Sequence, residues 1–294
     1  MPLKILFIGD VVGSPGRKVV VQSLPHLRAR LGLDLVICNA ENAAGGSGVT
    51  LSCYDDLRDA GVDVFTLGDH AYRKDDIHDL FGRSDRLCRP ANFPPDAPGP
   101  EIVRIKTTGG VPVAVFTVLG RVFMNPVDCP LRASDRILGP LAESYKVIVC
   151  DIHAEATSEK QLLARYLDGR VSAALGTHTH VATADEQILS GGTAFQTDVG
   201  MTGPYDSVIG RRFDRVLTSN QTALPQHFDV ATGDPRLSST LLEIDPESGR
   251  ALSIRRVMLD KHQIDRIVRQ ADWIPELPCP SFESATSPSN RRES

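Results

Sequence analysis

The chain has 294 residues, enough for one large domain or two small ones, and its 41% apolar content can fill a complete core. A formal net charge of −5 argues against a surface built to coat long nucleic acid, although it leaves room for a local basic pocket. Six scattered cysteines with no CxxC pair exclude a cysteine-rich structural zinc site and read as thiols in a reducing compartment. No signal peptide precedes the first strand and no apolar run has membrane-spanning length, so the expected location is the cytoplasm.

Taken in order, Ile5 to Ile8 is a short apolar run ending in Gly9-Asp10, a buried strand and its loop. Arg17 to Arg30 has helical spacing, with Val20, Leu24, Leu27 and Leu31 on one face. Asp34 to Cys38 is the next strand, Thr50 to Ala60 a short helix stopped at Gly61, and Val62 to Leu67 a third strand. This alternation predicts a largely parallel sheet with helices on its faces. Residues 90 to 112 are rich in proline and glycine, and the strands Ile102 to Ile105 and Val111 to Val118 have hairpin-like spacing. Alternation resumes with a helix at Asp135 to Ser144, a strand at Val147 to Cys150, a helix at Ser158 to Leu167 and a strand at Val171 to Leu175. Ser158 and Gln161 have the spacing of a capping box. Gln187 to Leu189, Thr193 to Phe195, Ser239 to Ile244 and Leu252 to Met258 read as further strands. The expectation is one α/β domain over residues 1–272, for which a four-layer α-β-β-α sandwich fits the two sets of strands, and a poorly ordered tail over 273–294.

Polar residues gather at the ends of the apolar runs: Asp10, Glu41 with Asn42, Asp69 with His70, Asp151 with His153, and His178 with His180. Strand ends are where sheets place ligands, and His, carboxylates and Asn together are what a two-metal hydrolase needs. Singly, each has a plain structural role open to it, as a turn, a cap or a buried hydrogen bond. Two pairs, Asp151/His153 and His178/His180, are spaced two apart and would share a face if extended. Imidazole, carboxylate and amide oxygen suit manganese, iron or zinc. Gly45, Gly46 and Gly48 would let the backbone approach an anion. Arg17, Tyr72 and Arg73 flank the motifs and read more simply as surface groups.

These residues carry a resemblance. GD-x-V-G from Gly9, N-x-E-N from Asn39, Gly68-Asp69-His70, D-x-HAEATSEK from Asp151, GTHTHV-x-TAD from Gly176 and TDVGMTGP from Thr197 resemble the calcineurin-like metallophosphoesterases. More narrowly they resemble the branch named after YmdB, similar to 2′,3′-cyclic-nucleotide 2′-phosphodiesterases. The match runs from about Lys4 to about Gly210. It implies two divalent ions. Asp10, Glu41, Asn42 and His180 would hold one, and Glu41, Asp69, His153 and His178 the other, with Glu41 bridging. Where the wider superfamily has D-x-H, this chain has Asp10-Val-Val12, and Asn42 would fill that place. His70 would be left to assist the leaving group. The family pattern has Gly-Asn-His where this chain has Gly68-Asp69-His70, which adds a negative charge to the site.

The resemblance implies hydrolysis of a phosphodiester, with 2′,3′-cyclic nucleotides first, by a metal-bridged hydroxide with His70 assisting. A phosphomonoesterase or protein phosphatase on the same centre is the first rival. A low-turnover regulatory protein that binds a nucleotide or RNA end is the second, with long nucleic acid disfavoured by the charge. Many relatives of this kind assemble as oligomers, and Pro90 to Pro100 offers a contact surface for a homo-oligomer. No P-loop motif is present, which argues against an NTP-driven motor.

Overall fold

In the first strand, successive side chains turn to opposite faces and both faces are apolar. Ile5 and Phe7 enter one buried cluster, and Leu6 and Ile8 enter another. A strand buried on both faces needs a packed layer on each side. The computed structural model describes residues 1–275. In chain order its elements are β1 (Leu3–Ile8), β2 (Asp10–Val11), α1 (Gly13–Leu31), β3 (Leu35–Asn39), α2 (Leu51–Asp59), β4 (Val64–Thr66), α3 (Asp76–Arg83) and β5 (Leu87–Cys88). The middle comprises β6 (Ile102–Lys106), β7 (Pro112–Leu119), α4 (Pro130–Leu141), β8 (Val147–His153), α5 (Thr157–Leu167) and β9 (Ala173–Thr177). Then follow β10 (Gln187–Ile188), β11 (Ala194–Gln196), β12 (Met201–Asp206), α6 (Phe213–Thr222), β13 (Gly233–Ile244), β14 (Ala251–Leu259) and α7 (Lys261–Arg269).

One sheet has the order β2-β12-β13-β1-β3-β4-β5, with β14 also paired to β13; the other has the order β10-β11-β9-β8-β7-β6. Both are mixed. β1, β3, β4 and β5 are parallel neighbours, as are β7, β8 and β9, whereas β13 is antiparallel to β1 and β6 to β7. Phe7, Ile37 and Val64 of the first sheet meet Val115, Val149 and Leu175 of the second in a shared core. Leu24, Leu57, Ile77 and Ile264 bring α1, α2, α3 and α7 onto the outer face of the first sheet. Ile137 and Leu163 bring α4 and α5 onto the outer face of the second. The layers are helix, sheet, sheet, helix, the sandwich the strand pattern suggested. Phe7 and Phe116 are fully buried, one in each sheet, and truncating either to alanine costs about 3–5 kcal/mol.

Several elements depart from the expected ones for identifiable reasons. β8 continues past Cys150 to His153, because its polar residues are fully buried and bonded rather than turned to water. α4 begins at Pro130, a residue suited to the first helical position. α5 begins at Thr157, so Ser158 lies inside the helix and the expected capping box does not form; Glu159 instead accepts from the backbone N–H groups of Arg121 and Val122. A capping box does form at α7, between Asp260 and Gln263. Trp273, placed in the expected tail, packs against the core, and its carbonyl accepts from Arg30. The rest of that tail, residues 276–294, lies outside the described residues. Within the expected contact segment, Ala91 and Asn92 are buried. Cys38, Cys53, Cys88, Cys129 and Cys150 are free thiols. Among the described residues no helix is long and apolar enough to cross a membrane.

Candidate metal centre

The parallel strands β1, β3 and β4 of one sheet and β8 and β9 of the other run out toward a common point. Asp10 follows β1, Glu41 and Asn42 follow β3, Asp69 and His70 follow β4, His153 ends β8, and His178 and His180 follow β9. Glu41, Asp69, His153 and His178 each offer a ligand atom there, all within 4.8 Å of one another, the one such group of three or more His, Cys, Asp or Glu among the described residues. His153 Nε2 lies 3.2 Å from Glu41 Oε1, 3.2 Å from Asp69 Oδ1 and 3.1 Å from His178 Nδ1. A side chain at Gly68 would collide with His153 Nε2 and Glu41 Oε2, so glycine at the start of Gly-Asp-His keeps this space open.

On the other side of Glu41 the groups are less tightly drawn together. Asn42 Nδ2 donates to Glu41 Oε1 at 3.0 Å and lies 3.2 Å from His180 Nε2, which is 3.8 Å from Asp10 Oδ1. Asp10 is fully buried. Its Oδ2 accepts the His178 N–H at 3.1 Å, while Oδ1 has no hydrogen-bond partner. A buried carboxylate oxygen without a partner is costly unless a cation meets it, so this orphaned atom suits a metal ligand.

Each imidazole is braced through its outer nitrogen. Thr177 Oγ1 donates to Asp151 Oδ1 at 2.6 Å, so it accepts from His153 Nδ1 at 2.8 Å and leaves Nε2 to face the cluster. Asp151 also accepts from Thr66 at 2.6 Å and Asn39 at 3.0 Å. It is therefore a buried anchor rather than a member of the donor set. His178 Nε2 pairs with Glu155 at 3.2 Å, and His180 Nδ1 donates to the Ile209 carbonyl at 2.9 Å. Such outer partners fix tautomer and orientation in metal-binding histidines.

The charges favour a cation at this point. Burial pushes His153 down, but the Glu41 charge and the hydrogen bonds the imidazole donates to Asp69 and Glu41 outweigh it and hold the imidazole well above its usual value. Burial pushes Asp69 up, yet its bonds to His153 and His178 bring it far below the carboxylate range. Glu41 likewise falls below its usual value, its burial outweighed by His153. Asp10 rises, chiefly through burial. Burial also pushes Asp151 up to about 6, against the His153 charge and the hydrogen bonds of Thr177 and Thr66.

Two sequence expectations change. His178 and His180 are not an extended pair on one face: both adopt left-handed backbone, at φ 92° and 64°, and their rings turn to different groups. In the loop of Gly45, Gly46 and Gly48, the amides of Gly46 and Gly48 are turned inward rather than held out to an anion. Gly46 N–H donates to Asn42 O and Gly48 N–H to Glu41 O, and Arg211 donates to the Gly46 carbonyl. The glycines instead allow a tight turn that fixes Glu41 and Asn42. Of the flanking candidates, Arg17 donates to Ala43 O at 2.5 Å and pairs with Asp56, Tyr72 donates to Pro98 O, and Arg73 is exposed. His70 stays at the rim, one quarter exposed, with its Nδ1 2.8 Å from Asn42 Oδ1 and its N–H on Glu41 Oε2 at 3.0 Å. Sequence reasoning missed Thr66, Thr177, Glu155 and Ile209. Glu155 and Thr177 carried a signal, since they lie within the runs quoted from Asp151 and Gly176.

The family model for YmdB-like proteins matches residues 6–257. The chain is 44% identical over 258 residues to the 2′,3′-cyclic-nucleotide 2′-phosphodiesterase of Bacillus subtilis (strain 168), covering 88% of this chain and 97% of that protein. A crystal structure of a hypothetical protein from Thermus thermophilus superposes with a TM-score of 0.82 at 45% identity, covering 88% of this chain and 99% of that one. The crystal structure of a novel phosphatase from Mycoplasma pneumoniae superposes with a TM-score of 0.83 at 29% identity, covering 92% and 97%. With the fold, the converging donors and these relatives in agreement, the chain belongs to the YmdB-like protein family.

Proposed function

We propose that the chain is a metal-dependent phosphodiesterase acting on 2′,3′-cyclic nucleotides. The observation that carries this reading is the convergence of Glu41, Asp69, His153 and His178 at the strand ends. In support, the Bacillus relative is named for that reaction. In this reading those four residues hold one divalent ion. Asp10, Asn42 and His180, with Glu41 shared, hold a second. Iron, manganese and zinc all suit the donors. When bound, such ions supply Lewis acidity and a water activated near neutral pH.

The chain's own residues orient the rest. Ligation through the Asn42 oxygen requires its amide to turn, because Nδ2 now faces Glu41 and His180. The turned amide then donates to His70 Nδ1, which places the ring proton on Nε2, 3.8 Å from Asp69 Oδ2, where it would hydrogen-bond the leaving ribose oxygen and stabilise its developing charge. Asp69 brings a charge that the family's Asn lacks, strengthening the hold on the first ion and weakening its Lewis acidity. We place this activity in one domain, residues 1–272, and in the cytoplasm, where the five free thiols of the described residues would stay reduced.

The test is hydrolysis of 2′,3′-cyclic AMP by chelator-stripped protein with and without Mn²⁺, with His178→Ala alongside. Turnover that requires the metal and is lost in the variant is expected. Metal bound without turnover would sink the cyclic-nucleotide reading in favour of another phosphoester or a nucleotide-binding role. A monoesterase is the second reading, favoured by the Mycoplasma neighbour described as a phosphatase. Faster cleavage of an aryl phosphate than of a bis-aryl phosphate would select it.

A further inference from the structure

Lys160 and Asp198 form an ion pair of 2.7 Å, and both side chains are fully buried. Neither belongs to the donor set. Asp198 Oδ2 also accepts from the Thr179 N–H at 3.1 Å and from the Thr179 hydroxyl at 2.5 Å, and the Lys160 ammonium donates to the same hydroxyl at 3.1 Å. Asp198 Oδ1 is taken by the Gly200 N–H at 2.7 Å. Thr179 is thus pinned through both its backbone and its side chain. The two residues it separates, His178 and His180, both adopt the left-handed conformation that residues other than glycine rarely take. Such backbone persists only where its surroundings over-determine it. Here the bend is what separates the rings: His178 Nδ1 turns to His153 and Asp69, and His180 Nε2 turns to Asn42 and Asp10.

We propose that Lys160, Asp198 and Thr179 form a buried clamp that holds this bend and so positions one ligand of each half of the metal centre at once. They are positioning residues, and the inference rests on the two-ion reading above. A clamp of this kind couples the halves. Loosening it weakens both binding steps together, whereas loosening a partner of a single histidine weakens one.

Thr179→Val tests this with the ion pair left intact, because it removes only the hydroxyl shared by Lys160 and Asp198. Thr179→Ser keeps the hydroxyl. Lys160→Met is the harsher variant, and the conclusion does not depend on its folding. Chelator-stripped full-length protein is titrated with Mn²⁺ against a competing chelator, and the melting temperature of the stripped protein is recorded. In Thr179→Val both binding steps are expected to weaken by about tenfold or more, the scale of losing an outer partner of a ligand. Thr179→Ser restores both, and the stripped proteins melt within a few degrees of one another. Unchanged affinities, or loss confined to one step, would overturn the clamp. A parent chain that binds no Mn²⁺ would instead overturn the metal-centre reading on which it rests.

Discussion

On one side of Glu41 the candidate ligands all converge on one another; on the other side Asn42 alone links Glu41 to His180, and Asp10 stands apart. His153, Asp69 and His178 converge with Glu41, and the first and last are braced from behind by Thr177 and Glu155. Asp10 and His180 are 3.8 Å apart, Asp10 keeps one oxygen without a partner, and Asn42 presents its amide nitrogen. In the two-ion reading proposed above, the first half is assembled by the fold and the second is completed by rearrangement of Asn42; preorganisation lowers the cost of binding, so the first half is expected to take its ion more tightly.

The largest expected effect comes from the residue that both halves share. Glu41→Gln should weaken both metal-binding steps and cut turnover by more than about 100-fold, beyond the 10–100-fold of an outer partner; metal content and initial rates check it. His180→Ala should split the halves, leaving about one ion per chain instead of about two, read by elemental analysis. Asp151→Asn puts an amide donor against the donors Thr66, Asn39 and Thr177. It should weaken the tight step alone by about 10–100-fold, measured by chelator competition. Asp69→Asn removes a charge while keeping an oxygen, and should weaken the same step while speeding turnover; unchanged affinity and rate would remove the charge argument. The smallest effect belongs to Glu155→Gln. Glu155 is 48% exposed, and such a pair is worth about 0–1 kcal/mol, so the tight step should move by no more than about fivefold.

The candidate ligand positions were legible because each lies at or just past the end of an apolar run, and an apolar run in a buried parallel strand has few alternatives. The four layers followed from the two groups of strands. α6 left no trace in the sequence pattern, since none of its residues is buried and no stripe points to a core. β12 carries Gly203 and Pro204, which read as a loop, yet it pairs with β2 and β13. The bend at His178 to His180 was beyond pattern reasoning, because its left-handed backbone is imposed from Lys160 and Asp198, distant in sequence. The inward turn of the Gly46 and Gly48 amides was hidden for the same kind of reason: their acceptors, the carbonyls of Asn42 and Glu41, are visible only once the loop is folded.

The most direct test of the asymmetric centre is a calorimetric titration of the stripped protein with Mn²⁺, repeated on His180→Ala. Two binding events of unequal affinity, with only the tighter one surviving in the variant, are the expected result. A single event in the parent protein, or loss of the tighter event in the variant, would contradict the account.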